Sequence, residues 1–269
     1  MPGPLLLVGC GKMGGALLRG WLRQGVPASS TVVVEPAAAG LDEFARAGVA
    51  VHAEAAGLPA GLAPAVVVLA VKPQAMAAAL PDYRRFVRRE TVFLSIAAGK
   101  TLGFFERALG PAAVVRAMPN TPAAVGRSIT VACANAAAAA DQRRLCGALL
   151  EAVGEVAWVE EEGLLDAVTA VSGGGPAYVF LFIECLAQAG VAAGLPADLA
   201  MRLARATVIG SGELARQSPE PAAALRQAVT SPGGTTLEAL KVLMPPDALP
   251  ALMTRAIAAA TRRSRELAD

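Results

Sequence analysis

A glycine turn near the start of the chain has the residue types that bind a dinucleotide. It follows the apolar run Leu5–Val8 and contains Gly9, Gly11 and Gly14, and a helical spacing of apolar residues begins at Ala16. In this order of strand, turn and helix, the first glycine permits a tight turn, the second lets the backbone approach a pyrophosphate, and the third allows close helix packing. Free amides at the start of the helix favour phosphate. The segment therefore predicts dinucleotide binding, against the alternative of a tight turn without a ligand.

An acidic residue follows the second predicted strand, Thr31–Val34, at Glu35. A carboxylate at this position bonds the ribose 2′-hydroxyl of NAD and repels the 2′-phosphate of NADP. Residues 36–40 (PAAAG) offer no cation or hydroxyl to a phosphate. The sequence predicts an NAD(P)H site that favours NADH over NADPH, unless Glu35 points into solvent or a cation such as Arg23 reaches the site.

Three further loops fall where strand ends would meet the cofactor. Residues 70–73 (AVKP) contain Lys72, which could lie along the nicotinamide ribose or a phosphate. A solvated lysine at a strand end explains this residue equally well. Residues 95–99 (SIAAG) are small enough for a flat ring to lie against the backbone. Residues 118–122 (MPNTP) hold an Asn-Thr pair between two prolines, which a structural turn alone explains less well.

A loop of glycines and hydroxyls lies far along the chain, at residues 228–238. Gly233 and Gly234 permit positive φ. Thr235 and Glu238 have the spacing of a capping box and predict a helix start with exposed amides, which suits a small carboxylate. On these residues alone, a capped helix without a ligand is slightly favoured.

Alternating strand and helix patterns predict a doubly wound α/β sheet in residues 1–163, and only helices follow in residues 164–269. The acidic run at residues 160–162 marks the boundary. Predicted strands are 5–8, 31–34, 66–71, 91–96, 113–118 and 156–159. Predicted helices are 41–47, 75–80, 102–109, 176–193, 197–217, 236–244 and 247–266. The alternation predicts parallel strands with helices on both faces.

Composition limits the partners of the 269-residue chain. A net charge of +2 gives no reason to expect a nucleic acid. Hydrophobic residues make up 55% and mean hydropathy is +0.50, yet no uncharged apolar stretch reaches about 18 residues, so no membrane span is predicted. Apolar residues surround the helix at 176–193, which predicts burial in an obligate dimer. An alanine-rich bias is the alternative source of the apolarity.

The cysteines and the start of the chain indicate the compartment. The four cysteines have no paired or metal-ligand spacing, so no metal site is predicted and a reducing cytoplasm fits. Residues 1–4 carry no basic segment and the first strand follows directly, so no signal peptide is expected. The single histidine, His52, lies in an alternating segment and is predicted to end a strand, so any mechanism works without a histidine acid or base.

Six segments together resemble pyrroline-5-carboxylate reductases, in that family's order along the whole chain. They are residues 8–14 (VGCGKMG), 70–74 (AVKPQ), 95–99 (SIAAG), 116–122 (RAMPNTP), 171–178 (VSGGGPAY) and 230–236 (TSPGGTT). The resemblance implies an N-terminal Rossmann-like domain and a C-terminal helical domain that forms an intertwined dimer. It also implies reduction of a cyclic imine carboxylate, L-1-pyrroline-5-carboxylate, to L-proline by hydride transfer from NAD(P)H. Assemblies in the family range from dimers to pentamers of dimers.

The resemblance also assigns residues. The implied cofactor contacts are Val8, Gly9, Cys10, Gly11, Lys12, Met13, Glu35, Ala70, Val71, Lys72, Pro73, Ala97, Ala98 and Asn120. The implied substrate contacts are Ser231, Gly233, Gly234, Thr235 and Thr236, with amides on the carboxylate and the catalytic Thr236 hydroxyl facing the ring nitrogen. The helical domain of one subunit would complete the site over the cofactor of the other.

Two rival functions stay open. One is a reductase for a β-hydroxyacid or a six-membered imine; hydroxyacid enzymes carry a lysine base in the second domain, and no lysine lies between residues 101 and 240. The other is a binding or regulatory relative without catalysis, which would be expected to lose the substrate loop that this chain keeps.

Overall fold

The computed structural model describes residues 2–37 and 40–268, and one sheet of eight strands runs through the first part of these residues. The strands are β1 (Leu5–Val8), β2 (Thr31–Val34), β3 (Ala50–His52), β4 (Val66–Leu69), β5 (Val92–Ser95), β6 (Ala113–Met118), β7 (Ser128–Ala134) and β8 (Gly154–Trp158). Their order is β3-β2-β1-β4-β5-β6-β7-β8. The chain moves outward from β1 to β3, then returns beside β1 with β4, which makes this a doubly wound sheet.

The α-helices in the described residues are α1 (Lys12–Arg23), α2 (Asp42–Arg46), α3 (Pro73–Ala79), α4 (Leu102–Leu109), α5 (Ala140–Glu151), α6 (Leu164–Val168), α7 (Gly175–Ala192), α8 (Ala197–Gln217), α9 (Ala222–Ala228), α10 (Thr235–Leu243) and α11 (Leu249–Glu266). A π-helical turn, Thr169–Gly173, connects α6 to α7. Sequence patterns predicted β2, β6, α4 and α8 to the residue. They missed β7, α5, α6 and α9, because α6 and α9 are short and β7 and α5 are rich in small and polar residues.

The expectation of a parallel sheet is wrong at one pairing. β7 runs antiparallel to β6, whereas the other paired strands are parallel. Residues 119–127 connect β6 to β7, and a parallel crossover needs roughly a dozen residues or more. The short connection therefore forces the chain to reverse.

The central strands are buried on both faces, which explains their continuous apolar runs. Leu5 and Leu7 pack with Trp21 in one apolar cluster, while Leu6 and Val8 pack in a second cluster. Alternate side chains of one strand point to opposite faces of the sheet, so the two clusters are its two covered faces. Each large side chain that is fully buried here contributes about 1.5–3 kcal/mol relative to exposure.

The chain divides into two compact units. The first comprises residues up to Gly173 together with those from Ala260 onward, and the second is Gly174–Ala259. The boundary predicted at residue 163 stays a prediction. In the second unit the fully buried residues are three alanines, Ala187, Ala200 and Ala204.

Large apolar side chains of the second unit are exposed in the single chain. On α7 they include Val179, Phe180, Leu181, Phe182 and Leu186. Phe180 is 60% exposed. The stretch Leu164–Ala192 is long and apolar enough, by length and composition, to cross a membrane. The burial predicted for this helix is therefore not provided by the chain itself.

Candidate active site

The glycine turn between β1 and α1 has the shape that its residues predict. Gly9 has φ +89°, and its N–H donates to the Val34 carbonyl at 2.8 Å. A Cβ on Gly9 would lie 2.8 Å from the Ala70 carbonyl carbon, and a Cβ on Gly14 would clash with the Gly9 carbonyl oxygen. No atom lies within 4 Å of a Cβ built on Gly11, and no side chain caps α1 there. The turn is closed toward the sheet and open at the helix start, which fits a pyrophosphate.

Glu35 points its carboxylate at this turn. Oε2 accepts the Cys10 N–H at 2.7 Å, and Oε1 accepts the Ala37 N–H at 3.0 Å. The alternative of a solvent-facing Glu35 is therefore wrong. Within the described part of the chain no cation lies at ion-pair distance from it. Two residues of the loop that follows, Ala38 and Ala39, lie outside the described residues.

The Cys10 thiol in the turn is uncharged at neutral pH. Burial and, next, the Glu35 carboxylate raise the pKa of this thiol to about 11, and Arg19 opposes the shift by less. A neutral thiol adds no negative charge beside the place where a pyrophosphate would lie.

The loops after β4 and β5 lie beside the glycine turn. The Ala70 N–H donates to the Val8 carbonyl at 2.7 Å, which joins the end of β4 to the end of β1. Lys72 is exposed directly before α3, whereas Ala97 is buried after β5. Because the chain changes direction between β1 and β4, the carboxyl edge of these strands is where a doubly wound sheet is expected to bind a ligand. Along that edge lie the predicted residues Val8, Gly9, Cys10, Gly11, Lys12, Met13, Glu35, Ala70, Val71, Lys72, Pro73, Ala97, Ala98 and Asn120.

The loop between α9 and α10 belongs to the second unit. Gly233 has φ +70°, and the Gly234 N–H donates to the Ser231 carbonyl at 3.0 Å. Among the described residues the hydroxyls of Thr235 and Thr236 have no hydrogen-bond partner, and both residues are exposed. The loop therefore presents free hydroxyls and helix-start amides.

The capping box predicted at this helix start is wrong. The N-cap is Gly234, without a side-chain cap, and Thr235 is already the first helical residue. Glu238 pairs with Lys241 at 2.7 Å instead of reaching back to the N-cap. Glycine at the cap leaves the first amides without a side-chain acceptor, so they stay available to another acceptor.

Comparison with known proteins connects these two sites to one family. A family model described as pyrroline-5-carboxylate reductase dimerisation matches residues 162–267. A model described as NADP oxidoreductase coenzyme F420-dependent matches residues 5–99. The pyrroline-5-carboxylate reductase of Pseudomonas aeruginosa is 41% identical over 98% of this chain and 97% of that protein. The chain belongs to the pyrroline-5-carboxylate reductase family.

Other members of the family agree in sequence and in structure. The pyrroline-5-carboxylate reductase of Pisum sativum is 37% identical over 97% of this chain and 94% of its own length. The solved structure of the Coxiella burnetii enzyme aligns with a TM-score of 0.92 at 34% identity, covering 99% of both chains. A Plasmodium falciparum pyrroline carboxylate reductase, solved with NADP bound, aligns with a TM-score of 0.82 at 27% identity and covers 99% of this chain and 98% of its own.

The side chain of Asn120, an implied cofactor contact, is engaged in protein hydrogen bonds. Its Oδ1 accepts the Ile129 N–H and the Ser128 hydroxyl, each at 3.1 Å. Its Nδ2 donates to the Ser172 carbonyl at 3.2 Å. These bonds join the loop after β6 to β7 and to the π-helical turn. A cofactor contact at Asn120 stays a prediction, and it would use the backbone.

Sequence reasoning missed a buried ion pair beneath the loops. Arg116 on β6 is 5% exposed, and its Nη1 lies 2.7 Å from Glu162 Oε1. The same oxygen accepts the Leu102 N–H at 2.7 Å, at the start of α4. One carboxylate thus holds β6, α4 and the segment before α6 together. The available signal was an arginine inside an apolar strand, since a buried guanidinium needs a partner.

The single histidine and possible metal ligands were also located. His52 ends β3 as predicted, and its carbonyl accepts the Glu35 N–H at 2.9 Å. In residues 2–37 and 40–268 no group of three or more His, Cys, Asp or Glu side chains is arranged to hold a metal ion.

Proposed function

We propose that this protein reduces L-1-pyrroline-5-carboxylate to L-proline with NAD(P)H, the final step of proline biosynthesis. The observation that carries the proposal is the match over nearly the whole chain to proteins named for this activity, at up to 41% identity. The match includes both the glycine turn and the loop at residues 230–236. Family membership alone gives the fold, and the residue types of these two segments support the reaction.

The carboxyl edge of the sheet would hold the dinucleotide. Amides at the start of α1 face the pyrophosphate, and the loops carrying Lys72, Pro73, Ala97 and Ala98 flank the nicotinamide end. When bound, the dinucleotide supplies the hydride. The residues that surround it orient and desolvate the reacting groups, and positioning of this kind accounts for much of the rate of such reactions.

The α9–α10 loop would hold the substrate. The amides of Gly233, Gly234 and Thr235 provide donors for its carboxylate, with Ser231 beside them. The Thr236 hydroxyl, which has no partner within the described chain, would hold a proton at the ring nitrogen. A protonated iminium needs little further proton transfer during reduction, so the site works without a histidine.

Glu35 supports a preference for NADH. Its carboxylate is held at the glycine turn by the Cys10 N–H at 2.7 Å, where the adenosine ribose of a bound dinucleotide would lie. A ribose 2′-hydroxyl can donate to this carboxylate. A 2′-phosphate would place two like charges together, and no cation of the described residues lies at ion-pair distance from Glu35 to offset the repulsion.

A homodimer would cover the second unit. Its buried residues are three alanines, while its large apolar side chains are exposed in one chain. A second copy supplies the matching apolar surface, because a two-fold interface pairs the same patch on both subunits. A pentamer of such dimers and a cytoplasmic location complete the proposal, and neither a nucleic acid nor a membrane is a partner in it.

A substrate panel tests the proposal against its rivals. Initial rates are measured as NADH oxidation with L-1-pyrroline-5-carboxylate and with the six-membered homologous imine. With a β-hydroxyacid they are measured in the reverse direction, as reduction of NAD+. The product of imine reduction is identified by chiral chromatography. We expect the highest kcat/KM with the five-membered imine and one L-proline per hydride. A higher kcat/KM with either rival substrate, or turnover with none of the three, would overturn the proposal.

A further inference from the structure

The end of the chain packs within the first unit, beside the loops that flank the nicotinamide end. The C-terminal segment (residues 260–268) contains the last turns of α11, and it groups with the sheet. Ser264 on this segment is only 6% exposed. The Leu267 and Ala268 N–H groups close the last turn on the Arg263 and Arg265 carbonyls, each at 3.2 Å. The segment is thus ordered by its own backbone bonds.

A hydrogen bond to α6 anchors this segment. The Ser264 hydroxyl donates to Asp166 Oδ1 at 2.7 Å, and the Asp166 side chain is 15% exposed. Arg265 Nε lies farther away, at 3.8 Å from Oδ2. A hydroxyl that donates to a carboxylate shielded from water forms one of the stronger bonds available to a neutral donor.

The anchored segment lies against the β5 turn (residues 96–100). A Cβ on Gly99 would lie 3.1 Å from the Leu267 carbonyl oxygen, so the two backbones are in close contact. Gly99 has φ +74°, which favours glycine at this contact. Beside the contact is a cleft of about 350 Å³ whose lining includes Pro73, Ala98 and Ser264. The segment therefore forms one wall of the space next to two predicted cofactor residues.

We propose that Ser264 is a positioning residue that acts through Asp166. The bond between them fixes the C-terminal segment against the β5 turn, and the fixed turn holds Ala97 and Ala98 at the nicotinamide end of the site. The dinucleotide as a whole is anchored elsewhere, at the glycine turn. Loss of the Ser264 hydroxyl therefore lowers the rate of hydride transfer more than it weakens dinucleotide binding. This inference rests on the proposed function for its kinetic part only.

Hydrogen exchange of the protein without cofactor tests the structural part independently of any activity. We expect Ser264→Ala to speed amide exchange in residues 96–100 by roughly tenfold, as loss of one charge-assisted hydrogen bond implies. Asp166→Ala should do the same, and the double variant should be no faster than either single variant. Asp166→Asn keeps an acceptor oxygen and should have a smaller effect. The matched control is Arg263→Gln, which removes only an exposed ion pair with Glu266 on the same turn.

Kinetic measurements then distinguish a positioning role of Ser264 from a general loss of cofactor binding. In Ser264→Ala, kcat should fall by roughly tenfold while the NADH dissociation constant stays within about twofold. Unchanged exchange at residues 96–100, exchange that rises equally in the β1 amides, or additive effects in the double variant would each overturn the proposal. If the wild type does not reduce the imine, the proposed function fails, and the exchange data still decide whether Ser264 fixes the turn.

Discussion

The carboxyl edge of the sheet and the α9–α10 loop differ in how many of their polar side chains find hydrogen-bond partners within one chain. At the edge, two polar side chains are already engaged: Glu35 bonds the Cys10 amide, and Asn120 bonds three protein groups. In the loop, Thr235 and Thr236 have no side-chain partner among the described residues. The side chains of the proposed dinucleotide site are therefore held by protein hydrogen bonds, whereas the loop leaves two hydroxyls without a protein partner.

The two units also differ in how many large side chains they bury. The first unit buries Trp21, Phe93 and Phe105 completely, while the second unit buries three alanines. A unit of 86 residues by its bounds, with exposed Phe, Leu and Met side chains, lacks a core large enough for independent stability. The difference indicates that the first unit is complete within one chain and that the second is completed by another copy.

The largest expected effect comes from charging the exposed helix α7. Phe180→Asp should greatly weaken the dimer, because a two-fold interface would bury two unpaired carboxylates at a cost of about 2 kcal/mol each, roughly 1,000-fold in Kd. Light scattering coupled to size-exclusion chromatography measures the molar mass of the variant. The control is Val125→Glu, which charges a side chain of the first unit that is 75% exposed and should leave the mass unchanged. A dimer of normal affinity in Phe180→Asp would show that α7 is not in the interface.

The next effect concerns the loop hydroxyl. Thr236→Ala should lower kcat by roughly 100-fold, since the hydroxyl is proposed to act on the ring nitrogen. The dissociation constant of NADH should change by less than about twofold, because Thr236 is proposed to contact the substrate and not the dinucleotide. Steady-state kinetics with calorimetric titration gives both values. Near-normal turnover in the variant would reduce Thr236 to a helix-start residue.

Glu35 should have a smaller effect, confined to the choice of reductant. In Glu35→Ser the ratio of kcat/KM for NADH to that for NADPH should fall by roughly tenfold, about 1.4 kcal/mol, as the carboxylate facing the 2′-phosphate is lost. Asp42→Asn removes an equal charge a few residues away and serves as the control. An unchanged ratio in Glu35→Ser means that the carboxylate does not contact the ribose.

The smallest expected effect is at Thr235. A capping threonine would lose about 1 kcal/mol of stability on change to alanine. Because Gly234 is the N-cap and the Thr235 hydroxyl caps nothing, we expect Thr235→Ala to change the free energy of unfolding by less than about 0.5 kcal/mol. Denaturant titration of both proteins gives the difference, and a loss near 1 kcal/mol would restore the capping box.

The central strands and the glycine turn of the first unit could be predicted from the sequence, for a physical reason. Strands buried on both faces appear as continuous apolar runs, and the glycines at the turn have conformations that other residues rarely adopt. These signals are local. The antiparallel β7 depends on the length of a connection, and the bonds of Asn120 and Arg116 join residues far apart in sequence, so neither could be predicted from local pattern.

In the helical unit, the sequence predicted a side-chain cap at the start of α10, but the backbone of a glycine forms the cap. Thr235 and Glu238 have capping-box spacing, but the glycine before them already provides the extended residue that ends the loop. The helix pattern of α7 predicted burial, and one chain leaves this helix exposed, so its burial in a dimer stays a prediction. The packing of the C-terminal segment against Gly99 had no sequence signal, because the contact is between backbones.

The most direct test of the account is the rate of L-1-pyrroline-5-carboxylate reduction with each reductant on one preparation of the wild-type protein. We predict stoichiometric L-proline with both, and a higher kcat/KM with NADH than with NADPH. Proline formation with a clear preference for NADPH would contradict the role of Glu35 and leave the reaction standing. No proline with either reductant, from a folded dimer that binds NADH, would contradict the central claim.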